Sequence, residues 1–162
     1  MKKLLMAAIC LAPVFFFNSA QSKAFTPEGI LPEGVDSTVS VNPFTGESGF
    51  ARKGTVAATL NNVALLNSLL QKNSDAADLE EIRKITEAIE QLLPSLKVIG
   101  VFDLFTIQEW IATDYQPGRI YAALLYLKKY PECLDEAIVE RLKKIKQTTS
   151  SDYLRSQIHL SD

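Results

Sequence analysis

The stretch Leu79-Glu80-Glu81-Ile82-Arg83-Lys84-Ile85-Thr86-Glu87-Ala88-Ile89-Glu90-Gln91-Leu92 decides the fold class. Its apolar residues Leu79, Ile82, Ile85, Ile89 and Leu92 recur at spacings of 3, 3, 4 and 3. A 3.6-residue turn puts such positions on one stripe, with the charged positions opposite. A half-buried strand would need strict alternation, which is absent. Asp78, Glu80 and Glu81 occupy the first turns, where the helix dipole favours carboxylates. The stretch is predicted to be an amphipathic helix, capped by Asn73-Ser74-Asp75 and closed by Pro94.

Upstream, Thr55 to Gln71 carries no charge. Val56, Leu60, Val63, Leu66 and Leu70 keep helical spacing, and Leu65 and Leu69 widen the stripe. A helix apolar on most of its circumference is predicted to be buried and central, and to form an αα-hairpin with its successor. Asn61, Asn62 and Asn67 interrupt it. A buried amide without partners costs about 1–3 kcal/mol. The three therefore mark either a wet strip or a polar seam facing a partner.

Downstream, residues 95–105 are apolar without a period, so a buried strand and a core helix both fit. Thr106-Ile107-Gln108-Glu109 is a capping box that starts a short helix, and Asp114-Tyr115-Gln116-Pro117-Gly118 breaks it. Arg119 to Tyr130 is helix-compatible, with Ile120, Ala123, Leu124 and Leu127 on one face. Pro131 is expected to open the last strong helix, with Leu134, Ile138, Leu142 and Ile145 inward. Residues 147–162 are polar and expected to be a flexible tail, with one helical turn near Tyr153-Leu154. Before this body, residues 25–54 hold three prolines and five glycines, too many for a helix. They are expected to form an irregular arm pinned by Phe25, Ile30, Phe44 and Phe50. Val39, Val41 and Phe50 form a candidate extended pair around Asn42-Pro43-Phe44-Thr45-Gly46. The fold class is thus mostly α, a small helical bundle of four or five helices (residues 55–146) with an irregular N-terminal arm.

Residues 1–24 have the layout of a secretory signal peptide. Met1-Lys2-Lys3 is basic, Leu4 to Phe17 is uncharged and apolar, and Ser22 and Ala24 are small where a signal peptidase reads the chain. Fourteen helical residues rise about 21 Å, short of the ~30 Å hydrocarbon core, so cleavage near Ala24 is expected rather than an anchor. The processed chain is expected to be periplasmic or secreted, with no integral membrane segment.

Charge and composition narrow the chemistry. The chain has 162 residues, 17 Lys+Arg, 19 Asp+Glu, one His and two Cys. Cleavage removes Lys2, Lys3 and Lys23, so the balance becomes 14 − 19 = −5. An acidic chain lacks the basic excess of a nucleic-acid binder. One His and two Cys make no Cys/His zinc cluster, and neither a Gly-rich phosphate loop nor a calcium loop occurs, so no cofactor or metal is expected. Cys10 leaves with the signal, and Cys133 then stands alone, as a buried thiol or as the link of a homodimer. Pairing it with His159, three residues from the C-terminus, makes a poorly held nucleophile and base.

The expected function is therefore binding of another protein without catalysis, as an adaptor, immunity or secretion-system accessory protein. The candidate binding residues are the interfacial types Trp110, Tyr115, Tyr121, Tyr126 and Tyr130, together with Asn61, Asn62 and Asn67. The competing expectation is a hydrolase of envelope polymers using Asp103, Glu109 and Asp114. A third is an apolar-ligand carrier, which requires a cavity of several hundred Å³.

Overall fold

The computed structural model describes residues 37–71, 76–113 and 115–159. The expected signal peptide, Cys10, the arm as far as residue 36 with Phe25 and Ile30, the expected Asn73-Ser74-Asp75 cap and Asp114 lie outside the described residues. The chain runs β1 (Ser37–Val41), β2 (Ser48–Arg52), α1 (Thr55–Leu70), α2 (Ala76–Val98), α3 (Val101–Leu104), α4 (Ile107–Trp110) and α5 (Pro117–Lys129). A 3₁₀ turn (Pro131–Cys133), α6 (Glu136–Thr148) and α7 (Asp152–Gln157) follow. The fold is mostly α. Its four long helices are α1, α2, α5 and α6, of 16, 23, 13 and 13 residues.

The predicted stripe of α2 forms the centre of the core. Ile82, Ile85, Ile89, Leu93 and Leu96 are fully buried, and only Leu79 at the start of the stripe is largely exposed. Pro94 does not close this helix, which continues to Val98. Pro94 is on the exposed side, where water can reach the carbonyl left without its donor, and burial of Leu96 favours one more turn. Gly100 ends it in the left-handed region (φ 74°) and donates its N–H to Lys97 O at 3.0 Å. The aperiodic segment that follows is helical, as α3, with Phe102 buried.

α1 is a core helix whose predicted stripe holds from Val63 onward but not in its first two turns. Ala58, Thr59, Asn62, Val63, Leu66, Leu69 and Leu70 face inward, whereas Val56 and Leu60 are exposed. A helix apolar nearly all round has no contrast from which its rotation can be read. The rotation is set by α5, which comes very close at Gly118. A Cβ built there would lie 2.4 Å from Asn67 N and 2.6 Å from Val63 O, so only glycine fits. Pro117 opens α5 at a position that needs no N–H. The Gly118 N–H, one of that helix's orphan donors, is taken by Asn67 Oδ1 at 2.8 Å.

The C-terminal region departs from expectation in two places. Pro131 starts only the 3₁₀ turn; α6 begins at Glu136, capped by Asp135, whose Oδ1 accepts from Ile138 N at 2.7 Å. Leu134 is consequently part-exposed rather than inward. Residues 148–159 are held on the bundle rather than loose, and the turn expected near Tyr153-Leu154 is part of α7. Ser151 caps α7, Lys146 Nζ donates to Ile158 O at 2.9 Å, and Leu154 and Ile158 are completely buried. Each such side chain contributes about 1.5–3 kcal/mol, enough to hold a short polar helix against the bundle.

The described part of the arm is a hairpin. β1 pairs antiparallel with β2 in the register Val39↔Phe50 and Val41↔Ser48. Asn42, 1% exposed, fixes its loop to the helices. Its Nδ2 donates to Lys97 O and to Asp103 Oδ2, both at 2.8 Å, and its Oδ1 accepts from Phe44 N (2.8 Å) and Thr45 N (3.2 Å). Phe44 and Phe50, expected as pins, are largely exposed. The inner contacts are instead buried Ala51, Gly49 against Val98, and Ser95 Oγ donating to Phe50 O at 3.2 Å.

Candidate functional site

Most of the predicted aromatic set is interior. Trp110, Tyr121 and Tyr126 are buried, Tyr130 is half-buried, and Tyr115 alone is open, at 85% exposure. Phe102 joins Trp110 and Tyr126, with ring centroids 5.0 and 3.9 Å away, and Tyr126 meets Tyr130 at 4.9 Å. Arg119 lies over Trp110 and Lys97 over Tyr130, at 5.5 and 4.6 Å. Tyr121 faces a different neighbour, meeting Tyr153 edge-on at 5.6 Å. Five residues of helix turn Tyr121 and Tyr126 about 140° apart, and both are buried because α5 is covered on several sides. Together these rings are core packing with hydroxyls at its edge, not one exposed hot spot.

Burial, then Cys133, pushes the Tyr126 phenol well above its ordinary value, and burial raises Tyr130 against the opposing charge of Lys97. Burial and the Tyr121 hydroxyl likewise raise Tyr153. These phenols are neutral donors across the physiological range. Lys97 stays charged: partial burial opposes its charge, and Glu132 and Glu47, 3.4 and 3.5 Å away, outweigh that.

The three asparagines do not form a seam. Asn61 is exposed, Asn62 is fully buried and hydrogen-bonded or otherwise partnered, and Asn67 is half-buried and engaged by Gly118. Glu109 completes the predicted capping box, its Oε2 accepting from Thr106 N at 2.7 Å. Asp103 is held by Asn42. Both described carboxylates of the hydrolase set therefore have structural partners. Cys133 is half-buried, with Sγ donating to Tyr126 Oη at 3.9 Å. Among the described residues, no cluster of three His, Cys, Asp or Glu side chains is placed to hold a metal ion, and no helix is long and apolar enough to cross a membrane.

Two features that residue types alone did not single out are more open to ligands. The first is the outer face of the hairpin. Alternation along β1 and the register with β2 put Val39, Val41 and Phe50 on one side of the sheet, 69, 62 and 71% exposed. Alternating Val39-Ser40-Val41 was the available signal; which face the helices would cover was not readable. The second is a cleft of about 460 Å³ between α2, α5 and the C-terminal segments, with Leu124, Leu125, Leu127 and Leu142 as its apolar lining. Glu90, Lys128 and His159 also line it.

A protein family described as "Domain of unknown function (DUF7709)" matches residues 46–130, or 85 of the 162 residues. The chain belongs to this family. No curated protein and no solved structure matches it. The DUF7709 match takes in β2 and α1 to α5, whereas β1, α6 and α7 lie outside it. In this DUF7709 protein both open features cross that boundary: Val39 and Val41 precede the match and Phe50 is within it, and Leu142 and His159 complete the cleft from beyond its end.

Proposed function

We propose that this DUF7709 protein is an exported protein that acts by binding another protein, without catalysis, through the outer face of its hairpin. The export part rests on the residue pattern of 1–24. The binding part is carried by one observation: Val39, Val41 and Phe50 project together into solvent from a sheet whose other face is packed on α2. Burying one such side chain fully is worth about 1.5–3 kcal/mol, so three adjacent ones form a ready anchor for a partner's apolar patch. The engagement of Asp103 and Glu109 in hydrogen bonds of the fold favours this reading over the hydrolase.

The test is affinity capture of the processed protein from envelope extracts under non-reducing conditions, beside a Val39→Ser/Phe50→Ser variant. A protein retained by the parent and lost by the variant, with melting temperature unchanged, is the expected result. Equal capture by both removes the hairpin as the docking face. A dimer band that disappears on reduction would assign Cys133 to a homodimer contact.

A further inference from the structure

The leucine cleft has no part in hairpin docking, and its chemistry points to a different kind of ligand. Its volume, about 460 Å³, lies within the ~300–1,000 Å³ range of small-molecule sites. Its walls are firm, because Leu125, Leu127 and Leu142 are themselves core residues. Half-buried Leu124 and part-exposed Leu134 extend the apolar lining to the mouth. Polar side chains border the leucines from α2 (Thr86, Glu90), from α5 (Tyr121, Lys128) and from the C-terminal segment (His159). Lys128 and His159 line the cleft, and neither has an ion pair among the described residues.

A hydroxyl donor is also available at the cleft. Thr86 Oγ1 gives its proton to Ile82 O at 2.7 Å and can only accept from Tyr121 Oη, 3.5 Å away. Tyr121 Oη lies 3.4 Å from Tyr153 Oη. Both contacts of Tyr121 are at the long limit of hydrogen bonding, so its proton can turn to a ligand at little expense. Glu90, on the α2 side, sets a restriction. Its carboxylate opposes any anion, and Lys128 is the one lysine or arginine among the described lining residues, so a singly charged head is the most that the lining can neutralise.

We propose that this cleft binds a small monoanionic amphiphile, with an alkyl body on the leucines and a carboxylate head between Lys128 and Tyr121. The full chain is titrated calorimetrically with decanoate, decanol and decyltrimethylammonium. Decanoate is expected to bind saturably at one site and more tightly than the other two. Lys128→Met keeps the apolar stem and removes the charge; it should weaken decanoate about fivefold and leave decanol unchanged. Leu134→Asp, at a part-exposed position of the lining, should abolish decanoate binding while the melting temperature stays at the parent value. The Val39→Ser/Phe50→Ser variant should bind decanoate as the parent does, which separates this site from the hairpin. No saturable binding of decanoate, decyltrimethylammonium binding as tightly, an unaffected Lys128→Met variant, or loss of binding in the hairpin variant would each overturn the assignment.

Discussion

Replacing Gly118 by alanine tests how α1 and α5 are held together. Helix propensity alone predicts a gain, since alanine is favoured over glycine by up to ~1 kcal/mol inside a helix. The structure predicts the opposite sign. The added Cβ would meet Asn67 N at 2.4 Å, Val63 O at 2.6 Å and Leu66 Cβ at 2.7 Å. Two of these are backbone atoms and cannot rotate aside. Overpacking of this kind costs about 1–3 kcal/mol, and backbone opposition puts it at the upper end. Separating the helices also weakens the bond from Gly118 N to Asn67 Oδ1, a further loss of about 1 kcal/mol. Setting the propensity gain against these leaves a net destabilisation of about 2–3 kcal/mol. For a chain of this size that lowers the melting temperature by roughly 4–12 °C. Thermal unfolding followed by circular dichroism reads it directly. Gly46→Ala is the control, because nothing lies within 4 Å of its Cβ and only its positive φ of 76° opposes the change. A Gly118→Ala protein that melts at or above the parent temperature refutes the close-contact argument.

Two further perturbations follow from the same packing. Asn42→Ala removes four side-chain hydrogen bonds at a buried position and should destabilise the protein by about 2–4 kcal/mol. Hydrogen exchange should accelerate in 37–52 before the helices, and uniform acceleration would show that the hairpin is not held through Asn42. Leu154→Asp puts an unpaired charge where α7 meets the core and should cost about 3 kcal/mol or more, with new binding of a hydrophobic dye. An unchanged melting temperature would mean that α7 contributes nothing to the bundle.

Much of the bundle was legible in local pattern. The 3-3-4-3 spacing of α2, the Thr106–Glu109 capping box and the alternation around Asn42–Gly46 each describe neighbours in the chain, and each appears where its pattern lies. The candidate site was legible only as residue types. Trp110, Tyr121 and Tyr126 are the kinds of side chain that anchor partners, but the same rings fill cores, and composition does not separate the two uses.

The amino-acid order alone determined that helices form over most of 55–94, at the Thr106 capping box and through 119–129, because hydrophobic period, caps and dipole-matched charges act within one or two turns. Tertiary structure decided the rest, because burial is settled between segments far apart in the chain. Gly118 set the rotation of an α1 that has no polar face to orient it, and Leu96 carried α2 past Pro94. Leu154 and Ile158 drew a polar tail onto the core. The helices covered one face of the hairpin and left Val39, Val41 and Phe50 in water, which moved the candidate binding surface away from the tyrosines.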